Sequence, residues 1–162
     1  MLLLIPAALI LFQAPGVPHT VEALPGFFIV QGEPDDATFK ALKAAGITSV
    51  VNLRTDAEGP FEVEAHAVGL AGAGYTRCPT EREPSDAALD AFRKTLRELP
   101  RGGAVLLHCA SGNRAAGALY TFMVLDRGMD QEKALAVAQG AGLHSPATEA
   151  AVKAYVAARL KH

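Results

Sequence analysis

The chain has 162 residues, half of them apolar, with 15 basic and 17 acidic side chains and a formal net charge of −2. One domain of that length buries a proper core without staples, and a near-balance of charge with no basic run argues against a nucleic-acid binder. Its two cysteines make no disulfide framework, and neither has metal-ligand spacing to a second Cys or His, so neither a metal nor another cofactor is expected.

Met1 to Phe12 is almost continuously apolar and shorter than the roughly 20 residues of a membrane span. A polar, turn-rich stretch follows (Gln13, Pro15, Gly16, Pro18). The pattern is that of a signal-peptide core with a cut before Leu24, although no Lys or Arg precedes the apolar run. A membrane-anchoring N-terminus or a buried first strand are the alternatives. Residues 1–23 are therefore set apart from a domain over 24–162. That domain is expected to be periplasmic or secreted if the segment is cleaved, with no stable membrane span after processing, and otherwise cytoplasmic or N-terminally anchored.

From there strands and helices alternate. Phe27 to Val30 is a short strand; Asp35 or Asp36 caps a helix carrying Phe39 and Leu42, which Gly46 closes. Ile47 to Leu53 is a second strand, rich in β-branched residues. A polar loop from Arg54 to Pro60 leads into a weaker helix over Phe61 to Ala73, and Tyr75 to Cys78 is a third strand. Next comes the charged loop Thr80 to Asp86. Ser85 caps a helix whose stripe is Leu89, Phe92, Leu96 and Leu99. Beyond the central strand, a helix turns Leu119, Phe122 and Met123 inward, another begins at Met129-Asp130, and Ser145-Pro146 opens the last. This alternation predicts an α/β domain, a largely parallel sheet flanked by helices, with its ligand site at a strand's carboxyl end.

The stretch most able to do chemistry is Val105 to Gly117. An apolar strand delivers Cys109 into the short loop Ala110, Ser111, Gly112 and Asn113, and Arg114 then opens a helix. Loop amides and a helix start point N–H groups at one spot, which suits an anion. A thiol in that field, beside a guanidinium, is favoured as the thiolate. Cys109 is thus expected to be an accessible nucleophile in an oxyanion cradle, rather than an inert core cysteine.

Gly46 to Arg54, then Glu58, Gly74-Tyr75 and His108-Cys109 to Arg114, resemble the cysteine-dependent protein tyrosine phosphatase superfamily. Within it the chain is similar to the dual-specificity-like branch and to bacterial phosphatase-like proteins related to the beta-lactamase-hydrolase-like group. The resemblance covers roughly residues 26 to 143. It implies a three-layer fold with a central sheet of four or five strands. It also implies that Cys109 is the nucleophile forming a phosphocysteine and that Arg114 grips the phosphoryl oxygens with two parallel bonds, the loop residues 110–113 completing the site. Its substrate would be a phosphorylated protein or a small-molecule phosphate ester.

Some positions differ from that pattern. Four residues separate Cys109 from Arg114, where the superfamily usually has five. The shorter loop resembles that of rhodanese-type sulfurtransferases, which carry a persulfide. Ala115 stands where a hydroxyl residue usually follows the arginine, leaving Ser111 as its local substitute. Cleavage of a phosphate ester also wants an acid for the leaving oxygen, and Glu83, then Glu81, are the nominees. Asp86 is accounted for by the helix dipole. His108 is expected to orient the loop through a backbone hydrogen bond, while Arg54, Asp56 and Glu58 form a supporting network. Cys78, at the end of a strand expected beside the central one, is either a core residue or a redox partner of Cys109. Three activities stay open: a phosphatase, a sulfurtransferase using a Cys109 persulfide, and a phosphate-binding module that turns over nothing.

Overall fold

The computed structural model describes residues 12–161. Five strands form one sheet: β1 (Thr20–Leu24), β2 (Phe27–Val30), β3 (Ile47–Asn52), β4 (Gly74–Arg77) and β5 (Ala104–His108), in the order β1-β2-β5-β3-β4. Only β1 runs antiparallel to its neighbour; β2, β3 and β4 join the parallel ladder around β5. The strand carrying the reactive loop is therefore central, with a neighbour on each side and helices over both faces. Among the described residues there are also six helices: α1 (Asp36–Ala41), α2 (Glu62–Leu70), α3 (Asp86–Glu98), α4 (Asn113–Leu125), α5 (Gln131–Ala141) and α6 (Pro146–Leu160), with a short 3-10 turn at Asp56–Glu58.

Side chains alternate across a strand, and here the alternation sorts the core into two layers. Phe28, Val30, Val50 and Leu106 face one side and pack with Phe39, Leu42 and Val68 of the α1–α2 region. Ile29, Val51, Val105 and Leu107 face the other, against Leu89, Phe92 and Leu96 of α3, most of α4, and parts of α5 and α6. Burial on both faces is why β5 reads as an unbroken apolar run. The same crowding explains α4. Its sequence suggests one inward stripe, yet eleven of its thirteen residues are buried, because it lies between the sheet and α3, α5 and α6.

Helix starts follow local chemistry. Asp35, Ser85, Asp130 and Ser145 are N-caps whose side chains accept from backbone N–H groups of the first turn, satisfying donors that no intrahelical carbonyl reaches.

Thr20 to Leu24 pair with β2, and Ala14 and Val17 are fully buried, so the described residues before Leu24 pack with the rest of the fold. Of the apolar run read as a leader core, only Phe12 lies within the described residues. Cys78 does not neighbour the central strand, because β4 pairs with β3. Asn52 stands opposite Arg77 on one side and His108 on the other, so the residues that follow, Cys78 and Cys109, flank β3 two strand spacings apart, about 9.5 Å. A disulfide needs Cα atoms within about 7 Å. Both cysteines are free and buried. Among the described residues, no helix is long and apolar enough to cross a membrane.

Candidate functional site: the loop between β5 and α4

β5 ends at His108 and α4 starts at Asn113, which leaves Cys109 to Gly112 to make the turn. Gly112 has φ +88° and ψ −16°, a left-handed conformation natural to glycine. A Cβ there would also meet the Val30 carbonyl oxygen at 3.0 Å and the Gln31 Cα at 3.4 Å. This conformation aims the Gly112 N–H at the sulfur, 3.2 Å from Cys109 Sγ. One donor of the expected cradle is present.

Access to it is not. Cys109 has 0% of its surface exposed; the short loop folds over the thiol. Ala110, Ser111, Asn113 and Arg114 line the open cleft instead, together with Thr55, Glu58, Glu81, Arg82, His144, Ser145 and Pro146, in a volume of about 600 Å³. The sulfur lies under the floor of this cleft rather than on it.

Arg114 is clamped from behind. Its Nη1 and Nη2 donate to the two carboxylate oxygens of Glu58 at 2.7 Å each, and Nη1 also donates to the Thr80 carbonyl at 3.1 Å. That uses three of five donors. Nε and the remaining Nη2 proton make no such bond to oxygen among the described residues, and the Cys109 sulfur lies close enough to the guanidinium to accept from it. Glu58 is itself fixed, accepting from the Thr55 N–H at 2.7 Å and the Thr55 hydroxyl at 3.0 Å. Its bonds to Arg114 hold the Glu58 carboxyl down at about 2, against an ordinary 4.5. In return Glu58, and then the Cys109 sulfur beside it, push the Arg114 guanidinium above its ordinary value.

The other expected residues take definite places. Arg54 donates to the Glu58 carbonyl at 2.9 Å and Arg77 to Asp56 at 2.6 Å, which links the residues around Glu58 into one network. Of the two nominated acids, Glu81 lines the cleft and Glu83 does not. His108 sits beneath the loop with Nδ1 3.4 Å from the Cys109 carbonyl oxygen. Asn113 ties the loop to the α5–α6 connection, its Oδ1 accepting from the N–H groups of His144 at 3.0 Å and Ser145 at 2.9 Å.

Four residues of this environment escape a reading of the sequence: Arg82 and His144 at the cleft, Thr80, whose carbonyl accepts from Arg114, and Glu64, whose Oε1 is 2.5 Å from His108 Nε2. All belong to loops or helices remote in the chain from the cysteine, and no local pattern announces them.

No family model matches the chain. It is 33% identical over 106 residues to a beta-lactamase hydrolase-like protein of Agrobacterium fabrum, and 31% identical over 118 residues to one of Xylella fastidiosa. These stretches cover 62% and 68% of this chain but 23% and 27% of those proteins, so the chain spans about a quarter of their length. Solved structures share its fold. A DUF442 protein of Shewanella putrefaciens CN-32 aligns with a TM-score of 0.71 and 22% identity, over 89% of this chain and 95% of that one. Tk-PTP in a mutant form aligns at 0.73 with 18% identity, over 89% and 97%. P. aeruginosa TpbA, in complex with phosphotyrosine, aligns at 0.67 with 20% identity, over 90% and 85%. The fold is that of the cysteine-based phosphatases.

Proposed function

We propose that the chain is a cysteine-dependent phosphatase acting on phosphate monoesters, of proteins or small molecules. The observation that carries this reading is Arg114, which lines the cleft while Glu58 and Thr80 hold one edge of its guanidinium. Two parallel donors match two oxygens of a tetrahedral anion, and the loop amides supply further donors where charge develops. The phosphotyrosine complex of TpbA, a protein of the same fold, supports a phosphate ester as the class of ligand.

In this mechanism the Cys109 thiolate attacks phosphorus, forming the S–P bond as the P–O bond to the leaving group breaks. Glu81 gives its proton to that leaving oxygen. Water then hydrolyses the phosphocysteine, releasing phosphate and restoring the thiolate, with Glu81 taking the water's proton. The buried thiol adds a condition: the floor of the cleft parts to bring Sγ to the bound phosphoryl group.

Turnover of an aryl phosphate by the wild-type chain, lost in Cys109→Ser and in Arg114→Ala, is the expected result. The four-residue loop favours a second reading, sulfur transfer through a Cys109 persulfide, and a thiosulfate-to-cyanide assay on the same sample separates the two. Phosphate binding without activity in either assay would leave an anion-binding module and overturn both.

A further inference from the structure

His108 lies directly under the reactive loop and takes no part in the steps above. Its ring is fully buried and lies between two acceptors, with Nε2 2.5 Å from Glu64 Oε1 and Nδ1 3.4 Å from the Cys109 carbonyl oxygen. A neutral imidazole has one N–H and can serve only one of them. We propose that Glu64 is a positioning residue of the Cys109 site, holding His108 as a donor on both ring nitrogens so that Nδ1 fixes the Cys109 carbonyl and turns the next amide toward the cleft. This deepens the phosphatase reading and rests on it for its effect on turnover.

The geometry carries the argument in three steps. A trans peptide points its C=O and N–H in opposite directions. A Cys109 carbonyl anchored from below therefore sends the Ala110 N–H upward, into the ring of donors that Gly112 already joins. Charge follows the same logic. An ionised Glu64 under a neutral ring would place a net negative charge beneath an anion site, whereas an imidazolium–carboxylate pair is neutral with its positive end toward the loop. Arg114 and Glu58 repeat this arrangement on the cleft side, a cation at the sulfur backed by a carboxylate.

The surroundings of Glu64 suit such a role. Its side chain is 10% exposed, and the Tyr75 hydroxyl, itself accepting from Asn52 Nδ2 at 2.9 Å, lies close enough to interact with the carboxylate. Burial, and then the Glu64 charge, push that hydroxyl up to about 12, so it stays protonated as a donor. The groups facing His108 and the loop above it are thus Glu64 on α2, Tyr75 on β4, Asn52 on β3, and Cys109, Arg114 and Glu58 at the cleft.

The test compares the full wild-type chain with Glu64→Gln by two readouts. One is the ultraviolet absorbance of the Cys109 thiolate across pH, with Cys109→Ser as the blank that removes Cys78. The other is kcat/KM for an aryl phosphate. The glutamine keeps the size and a hydrogen bond but leaves the ring neutral. The thiolate midpoint is expected to move to higher pH, and kcat/KM to fall about 10- to 100-fold. An unmoved midpoint, or one moved to lower pH as loss of a nearby anion alone would produce, overturns the proposal. Should Glu64→Gln not fold, His108→Gln supplies two amide donors without a charge, and the same midpoint shift is expected. A wild-type chain that hydrolyses no aryl phosphate sinks the phosphatase reading, while the midpoint comparison still decides the role of Glu64.

Discussion

At the scale of single residues, the site depends on Arg114 having two usable edges. Glu58 occupies one edge and Thr80 one further proton; the other edge is the planar fork that the phosphatase reading assigns to an oxyanion. Lysine keeps the charge and loses the fork. Arg114→Lys is therefore expected to lower kcat/KM for an aryl phosphate by about 10²–10³, read by steady-state kinetics, and a loss under about fivefold would show that the fork is not used. Glu58 makes a separate prediction about pH. Its folded value is depressed, from 4.5 to about 2, so its contribution to stability is complete above 4.5 and disappears as the pH falls through that interval. Denaturant titrations should show wild type losing on the order of 1–2 kcal/mol more than Glu58→Gln between those limits, allowing for partial exposure of the pair. Parallel curves for the two proteins would mean that the clamp contributes nothing to folding.

At the scale of elements, the strand, loop and helix from Ala104 to Leu125 form a single device, and Gly112 is its joint. Gly112→Ala asks a side chain to sit at φ +88° with its Cβ 3.0 Å from the Val30 carbonyl oxygen. A destabilisation of about 1–3 kcal/mol is expected from the conformation and the clash. Activity should fall as well, since relief of the clash turns the Gly112 N–H away from the sulfur. Chemical denaturation and turnover measured on one sample check both. This device was legible in the sequence because its parts are contiguous: an apolar run, a cysteine, a glycine, an arginine. The cap at Ser85 was legible for the same reason. What stayed hidden is what folding brings together. Glu64 meets His108 across 44 residues and Arg114 meets Thr80 across 34, and no spacing rule encodes such pairs. Glu81 and Glu83 are two positions apart on one loop, and the course of the backbone alone decides which reaches the cleft. β1 was missed because Thr20–Leu24 is a half-buried edge strand whose alternation is too short to stand out beside the apolar run before it.

At the scale of the whole molecule, the strand order governs what the two thiols and the N-terminal segment can do. β3 stands between the ends of β4 and β5, so Cys78 and Cys109 cannot close a disulfide without dismantling the sheet. Burial also pushes the Cys78 thiol up, away from the reactive thiolate. After treatment of the native chain with diamide, mass spectrometry should find no Cys78–Cys109 crosslink, and a crosslinked native protein would contradict this topology. Among the described residues, the stretch before Leu24 is bound to the same sheet. Thr20 lies opposite Val30 and Val21 opposite Ile29, the His19 carbonyl accepts from the Gln31 N–H at 2.7 Å, and Ala14 and Val17 fill the layer that also holds Phe28, Val30 and Leu106. Cleavage before Leu24 would strip the β2 edge of its partner and open that layer to water. Each small apolar side chain lost from a core costs about 1–2 kcal/mol, and an uncovered strand edge invites pairing between chains. A chain beginning at Leu24 is therefore expected to unfold at a lower denaturant midpoint than the full chain and to self-associate at concentrations where the full chain does not, as light scattering would record. If the shortened chain instead matches the full chain in midpoint and remains monomeric, β1 is dispensable and processing at Leu24 is compatible with the fold.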